Sequence, residues 1–115
     1  MTLEQRLDAV EGQIRSTLQN LGRSRDEVTL VVVTKNHPVD LAVELYGLGI
    51  RDFGENRDQE AAPKASEFAR LVSGSKPTWH FVGQLQSNKA KSVAAYPDVV
   101  HSVDRESLLI ALEKA

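Results

Sequence analysis

Short β-branched segments alternate with helix-patterned segments along this chain, and this alternation constrains its fold more than any other feature. An amphipathic helix comes first, with apolar residues at spacings of three and four from Leu3 to Leu21 and a terminating Gly22. Four strand–helix units follow. The predicted strands are 28–33, 50–53, 78–82 and 99–103, and the predicted helices are 39–48, 56–72, 87–96 and 105–115. Such alternation predicts a parallel sheet covered by helices.

The composition excludes several classes of protein and site. The chain has 115 residues and a formal net charge of -2, so it suits one small domain and gives no basis for a nucleic-acid or membrane partner. It contains no cysteine, which excludes disulfide bonds and thiolate metal sites. The N-terminus lacks a basic-then-apolar signal pattern, and apolar runs such as residues 30–33 are far too short to span a bilayer. We therefore expect a cytoplasmic protein.

The number of strand–helix units favours part of a barrel. The sequence after the first predicted strand, Thr34-Lys35-Asn36-His37-Pro38, has no glycine-rich dinucleotide fingerprint, which disfavours a Rossmann domain. Four units are half of a (β/α)8 TIM barrel, a fold that usually needs about 250 residues. We therefore expect the first four βα units of such a barrel, preceded by the N-terminal helix.

A half barrel has physical consequences. Its first and fourth strands are open edges, and its inner face lacks a cover. We expect side chains such as Leu30, Val32, Phe81 and Val99 to meet water, at a cost of about 6–12 kcal/mol. We therefore expect about four more units beyond Ala115, or a second chain that completes the barrel.

Lys35 is the residue best placed for chemistry. Functional groups gather at the carboxyl ends of parallel strands, and Lys35 directly follows the apolar run that ends at Val33-Thr34. Partial desolvation there would favour the neutral amine, which attacks an aldehyde to form a Schiff base. From position alone, a lysine that extends from the strand end into water is the more common alternative.

Other polar residues near the predicted strand ends are weaker candidates. Asn56 and His80 could donate hydrogen bonds to a bound ring, although Asn56 could equally cap the next helix and His80 could be buried against the backbone. Glu55 could pair with a lysine in the mouth of the barrel or equally serve as a first-turn helix carboxylate. Residues 87–89 open a helix that could bind an anion, but a plain helix cap is the favoured interpretation. The three histidines, at positions 37, 80 and 101, lie too far apart in sequence for a metal motif.

Four segments carry a resemblance to a known family. They are Val31-Val32-Val33-Thr34-Lys35-Asn36-His37-Pro38; Phe53-Gly54-Glu55-Asn56 followed by Gln59-Glu60; Trp79-His80-Phe81-Val82-Gly83 running on to Leu85-Gln86-Ser87-Asn88-Lys89; and His101-Ser102-Val103-Asp104-Arg105. The third is the most specific, because a string of mixed polar and aromatic types is improbable by chance. In these segments the chain resembles the pyridoxal-phosphate homeostasis protein family, also called proline-synthase co-transcribed proteins.

The resemblance implies a fold, a cofactor and a role. Such proteins are single-domain barrels similar to the N-terminal domain of alanine racemase, and residues 1–115 would be the N-terminal half of one. They carry pyridoxal 5'-phosphate on the lysine that matches Lys35, with Asn56 and His80 as candidate pocket walls. They are thought to buffer or deliver the cofactor, with apo pyridoxal-phosphate enzymes as candidate recipients, and to be monomers at full length. No turnover reaction is established for them, and no metal is implied.

The resemblance leaves alternatives open. Family members are roughly twice this length, with their phosphate-binding loops in the second half, and a Tyr-Val-like pair is common where this chain has Arg57-Asp58. The main alternative is a pyridoxal-phosphate enzyme of the alanine racemase or decarboxylase barrel class, or a Schiff-base aldolase. A fragment with a role in interaction alone is the third interpretation. Cofactor absorbance separates this last case from the other two, and an amino-acid turnover assay separates carrier from enzyme.

Overall fold

The computed structural model of the protein describes residues 2–83, 89–93, 95–101 and 106–114. Its helices are α1 (Leu3–Asn20), α2 (Val39–Gly47), α3 (Asp58–Leu71), α4 (Ala90–Val93) and α5 (Glu106–Lys114), and its strands are β1 (Val32–Val33), β2 (Asp52–Glu55), β3 (Thr78–Phe81) and β4 (Val99–Val100). The strands form one parallel sheet in the order β1-β2-β3-β4. The α/β class is confirmed, and sequential pairing of four βα strands is the arrangement found in half of a (β/α)8 barrel.

Residues 1–30 form a compact unit of their own, built around α1. The helix begins with a capping box, in which Thr2 and Gln5 each bond the other's backbone N–H. It ends at Gly22, which has φ 67°, and the Arg23 N–H donates to the Leu18 carbonyl at 2.8 Å. This Schellman termination requires a left-handed residue that glycine adopts without strain. The predicted N-terminal helix and its terminating glycine are confirmed.

The strand boundaries differ from the predicted ones. The predicted strand 28–33 is paired only at Val32 and Val33, because β2 begins at Asp52 and Val32 pairs with Phe53. The second strand is shifted toward the carboxyl end by two residues, so Gly54 and Glu55 lie inside it rather than after it. The predictions for residues 85–88, 94, 102–105 and 115 fall outside the described part of the chain.

One face of the sheet packs against helices, and we call it the covered face. Phe53 and Trp79 lie on it, with ring centroids 5.4 Å apart, and both contact Phe68 of α3 at 5.6 Å. Phe81 packs on Leu108 of α5. All five side chains are buried. The expectation that Phe81 meets water is therefore wrong, because strand alternation places it beneath a helix.

The opposite face carries one paired row of residues, Val33, Gly54, His80 and Val99, and we call it the open face. Val33 and Val99, on the two edge strands, are 44% and 38% exposed, as expected for Val99. A Cβ on Gly54 would lie 3.2 Å from methyl groups of Val31 and Val33, so glycine lets the β1 side chains pack over β2. Among the described helices, none is both long enough and apolar enough to cross a membrane.

Candidate functional site

Lys35 lies in the turn that follows β1, at the carboxyl edge of the sheet. The Thr34 N–H donates to the Gly54 carbonyl at 3.0 Å, so the sheet pairing continues up to the residue before Lys35. Lys35 itself is exposed, which differs from the partial burial expected from its position after an apolar run. Asn36 follows with φ 64°, a left-handed conformation that asparagine tolerates better than most residues. The backbone therefore turns sharply just after Lys35.

Asn56 is the second candidate that the structure places at this edge. Val33 pairs with Gly54, and Lys35 and Asn56 each stand two residues beyond that pair, at the same level of adjacent strands. The Asn56 Oδ1 is buried and has no hydrogen-bond partner among the described residues. The N-cap of α3 is Arg57, without a side-chain bond, so Asn56 does not cap the helix. Its amide oxygen is thus available to a ligand.

Gly83 packs directly against Asn56 at the carboxyl end of β3. A Cβ at position 83 would lie 2.4 Å from the carbonyl oxygen of Asn56 and 2.8 Å from its Cβ. Contacts this short are sterically forbidden, so only glycine fits here. The glycine therefore lets the backbone at position 83 approach the Asn56 backbone closely.

His80 lies deeper than Lys35, within β3 on the open face, and both of its ring nitrogens are engaged. Its Nε2 lies 2.9 Å from Asp52 Oδ1, and its Nδ1 lies 2.9 Å from His101 Nε2. Both ring nitrogens thus contact side chains, and a role for His80 as a hydrogen-bond donor to a bound ring stays a prediction. His80 is buried, as the alternative expects, but its ring contacts side chains rather than the backbone.

His101 is a residue whose place in the site the sequence did not reveal. Its N–H donates to the Phe81 carbonyl at 2.9 Å, which extends the β4 pairing, and its side chain is exposed. It stands two residues beyond Val99, at the level that Lys35 and Asn56 occupy on their strands. The signal that could have identified His101 is its position two residues beyond the row of paired strand residues, a position that Lys35 and Asn56 share on their own strands. No group of three or more metal-binding side chains gathers in the described ranges.

A buried ion cluster lies behind Lys35, on the covered face. Lys64 of α3 is 6% exposed, and its Nζ lies 2.5 Å from Glu55 Oε1 and 3.1 Å from Glu60 Oε1. The same Nζ donates to the Thr34 carbonyl at 2.8 Å. Glu55 therefore pairs with a lysine, as one of its two predicted roles requires, but it does so from inside β2 and with Lys64 on the covered face rather than with a lysine in the mouth of the barrel. Lys64 was not singled out, because a lysine in an amphipathic helix normally lies on the solvated side.

The pKa values of the two carboxyl groups in the cluster are shifted in opposite directions. Burial raises the pKa of Glu55 above its ordinary value, although the ion pair with Lys64 opposes the rise. Burial also acts to raise the pKa of Glu60, but hydrogen bonds from Lys64 and from the Asn36 amide outweigh it and hold that pKa below its ordinary value. Glu60 is therefore the more acidic of the two.

A separate cavity of about 310 Å³ opens on the other side of α3. It is lined mainly by Phe68, Val72, Pro77, Trp79 and Tyr96. None of the candidate residues at the carboxyl edge contributes to it. Since Lys35, Asn56 and His80 all lie elsewhere, this cavity is not part of the candidate site.

Comparison with known proteins shows what this chain is similar to. No family model matches the chain. Proteins named pyridoxal phosphate homeostasis protein align with it from Vibrio cholerae (39% identical over 98% of this chain), Pseudomonas aeruginosa (40% over 90%) and Mycobacterium leprae (38% over 95%). This chain is a homologue of the pyridoxal phosphate homeostasis proteins. It spans 48%, 44% and 44% of those three proteins, about half the length of each. The resemblance seen in the sequence is confirmed.

Solved structures agree with these relatives. PipY from Synechococcus elongatus, with pyridoxal phosphate bound, is 38% identical, has a TM-score of 0.72 and matches over 90% of this chain and 47% of its own. A protein from Bifidobacterium adolescentis, described as unknown, gives a TM-score of 0.88 at 28% identity, over 96% of this chain and 48% of its own. The pyridoxal phosphate homeostasis proteins and PipY thus share both sequence and fold with these 115 residues.

Proposed function

We propose that this chain carries pyridoxal 5'-phosphate as an imine on Lys35, in a protein that maintains the intracellular supply of the cofactor. The observation that carries the proposal is that the exposed Lys35 stands at the same level of adjacent strands as Asn56, whose buried amide oxygen has no hydrogen-bond partner among the described residues. The names of the relatives and the cofactor bound to PipY support it. The aldehyde of the cofactor supplies the electrophile, and Lys35 supplies the amine.

The surrounding residues fit an aromatic ring with a hydroxyl group. A buried amide without a partner costs free energy unless a ligand satisfies it, so Asn56 would bind the ring hydroxyl. His80, held rigidly by Asp52 and His101, would form a wall beneath the ring. We propose that residues 1–115 are the N-terminal half of one barrel domain, and that the other half holds the phosphate. Apo pyridoxal-phosphate enzymes in the cytoplasm would be the recipients.

A carrier fits these residues better than an enzyme does. Racemisation or decarboxylation needs a positioned acid and base in addition to the bound cofactor. His80 is committed to its neighbours through both nitrogens. The Tyr96 hydroxyl donates to Asp58 Oδ1 at 3.0 Å, and burial together with that carboxylate raises the tyrosine's pKa well above its ordinary value. Steady amino-acid racemisation by the full-length protein, lost in Lys35→Ala, would contradict the carrier role.

The attachment site can be tested by trapping the imine. Borohydride reduction of the full-length protein with bound cofactor should add one pyridoxyl group to the peptide that contains Lys35. Lys35→Ala should remove both this label and the visible absorbance of the imine, and Lys91→Ala, the same substitution at another exposed lysine, should change neither. Peptide mass analysis gives the position of the label. A label on Lys89 or Lys91 in the unmodified protein would show that the assignment is wrong.

A further inference from the structure

The two residues that flank Lys35 are both tied to the buried ion cluster of Lys64, Glu55 and Glu60. On the amino side, the Thr34 carbonyl accepts from Lys64 Nζ at 2.8 Å. The Thr34 hydroxyl, which is fully buried, donates to Glu55 Oε2 at 3.2 Å. The residue before Lys35 is therefore held through both its backbone and its side chain.

The carboxyl side of Lys35 is held by the same cluster. The Asn36 N–H donates to Glu60 Oε1, the oxygen that Lys64 Nζ also contacts. Asn36 has φ 64°, and the His37 N–H donates back to the Thr34 carbonyl at 3.1 Å. A left-handed turn of this kind persists in a non-glycine residue only when its surroundings hold it. The side chain of Lys35 is thus exposed, whereas the backbone on both sides of it is held by the ion cluster on the covered face.

We propose that Lys64, Glu55 and Glu60 are positioning residues, which hold the backbone on both sides of Lys35 so that its amine meets the cofactor in one orientation. This inference rests on the proposed function, in which Lys35 carries the cofactor. Fixing the segment before binding removes the entropic cost of ordering it at that moment. The cluster acts from the covered face, so it can set the backbone without occupying the space that the cofactor needs.

Stability alone gives a weaker account of this cluster. A buried ion pair contributes little net stability, and well-packed apolar side chains often replace one without loss. The cluster also forms hydrogen bonds with the backbone of residues 34 and 36, the two positions next to Lys35. An ion pair serving only to join α3 to β2 would not need those contacts.

The double variant Glu55→Gln/Lys64→Met of the full-length protein tests the proposal. It removes both charges of the buried pair, so neither is left alone. We expect cofactor affinity to fall about tenfold, as for the loss of one charge-assisted hydrogen bond. The borohydride label should remain on Lys35. In the cofactor-free protein, the Asn36 and His37 amides should exchange hydrogen faster than in the unmodified protein.

The matched control is Glu67→Gln/Arg70→Met, which makes the same substitutions in an exposed pair on the same helix. It should match the unmodified protein in affinity and in exchange. Unchanged affinity and exchange in Glu55→Gln/Lys64→Met would overturn the positioning role alone. An unmodified protein that leaves Lys35 unlabelled would overturn the proposed function as well, so the two failures are distinguishable.

A second variant keeps the test decisive if the double variant does not fold. Glu60→Gln leaves the Lys64–Glu55 pair in place and weakens the two contacts of Glu60, to the Asn36 amide and to Lys64 Nζ. It should lower cofactor affinity about threefold and speed exchange at Asn36. Affinity and exchange equal to those of the unmodified protein would overturn the proposal.

Discussion

Lys35 and Lys64 lie on opposite sides of the same sheet edge, and their surroundings differ in almost every respect. Lys64 is buried, contacts two carboxylates and donates to a backbone carbonyl. Lys35 is exposed in a tight turn at the same sheet edge as Asn56, whose amide oxygen has no described partner. The amine of Lys64 is fully used within the fold, whereas Lys35 is exposed. Lys64 therefore serves the structure, and Lys35 is the lysine that we propose for chemistry.

The comparison draws attention to the buried groups that the fold leaves without partners. Buried polar groups in proteins are almost always paired, and the buried Glu55 Oε1, which makes no hydrogen bond among the described residues, still lies 2.5 Å from Lys64 Nζ. The buried Asn56 Oδ1, at the carboxyl edge of the open face, has no hydrogen-bond partner among those residues. We propose that a ligand completes its hydrogen bonding.

The sharpest test of this comparison is to remove each lysine's charge in turn. Lys64→Met should lower the free energy of unfolding by about 3–5 kcal/mol, because Glu55 is left buried without its partner. Lys35→Met should change it by less than about 0.5 kcal/mol, since an exposed side chain loses little on substitution. Urea unfolding of the cofactor-free, full-length protein measures both values.

The control for this pair of variants is the double variant described above. Adding Glu55→Gln to Lys64→Met should recover most of the lost stability, because the lone buried charge is gone. Equal losses of stability in the two single lysine variants would refute the contrast between a structural lysine and an accessible one.

Local signals account for the parts of this picture that the sequence predicted correctly. Helix α1 and its end at Gly22 follow from apolar spacing and from a left-handed glycine, and α2 begins directly after Pro38. Lys35 was found because a short apolar run leads straight to it. Each of these signals lies within a few residues of the feature that it predicts.

Pairing between distant segments accounts for what the sequence did not predict. The extent of β1 is set by where β2 begins, and the partners of His80 lie 28 and 21 residues away, at Asp52 and His101. Lys64 is buried because α3 packs with that side on β2, a choice that the helix pattern alone does not make. These features depend on strand register and helix rotation, which local patterns leave undetermined.

A smaller effect is expected at Asn56, where one substitution should change cofactor affinity more than it changes the free energy of unfolding. Asn56→Ala removes a buried oxygen that has no described partner, so the unfolding free energy of the cofactor-free protein should change by less than about 1 kcal/mol. Cofactor affinity should fall about tenfold, since the ring hydroxyl loses its partner. Absorbance titration and urea unfolding give the two values. A large loss of stability with unchanged affinity would mean that Asn56 belongs to the fold rather than to the site.

The smallest effect concerns the pH dependence of the cluster behind Lys35. Burial tends to raise the pKa of Glu60, but the hydrogen bonds from Lys64 and the Asn36 amide hold it below the ordinary value of 4.5. A lowered pKa in the folded state means that the stability from Glu60 is complete above that ordinary value and is lost as the pH falls through the lower one. Glu55 acts in the opposite sense, since its raised pKa makes the folded state less favourable as it ionises.

Glu60→Gln isolates this contribution, because it leaves Glu55 in both proteins. The variant should be less stable than the unmodified protein by about 1 kcal/mol near neutral pH, the scale of one hydrogen bond to a charged group. The difference should shrink toward zero as the pH falls through the lowered pKa of Glu60, where the carboxyl group becomes protonated in both the folded and the unfolded protein. Urea unfolding of both proteins from neutral pH down through that transition measures it. A difference that stayed constant however far the pH fell below the ordinary value of 4.5 would show that the Glu60 carboxylate gains nothing from Lys64 and Asn36, and would weaken the case for a cluster that holds Lys35 in place.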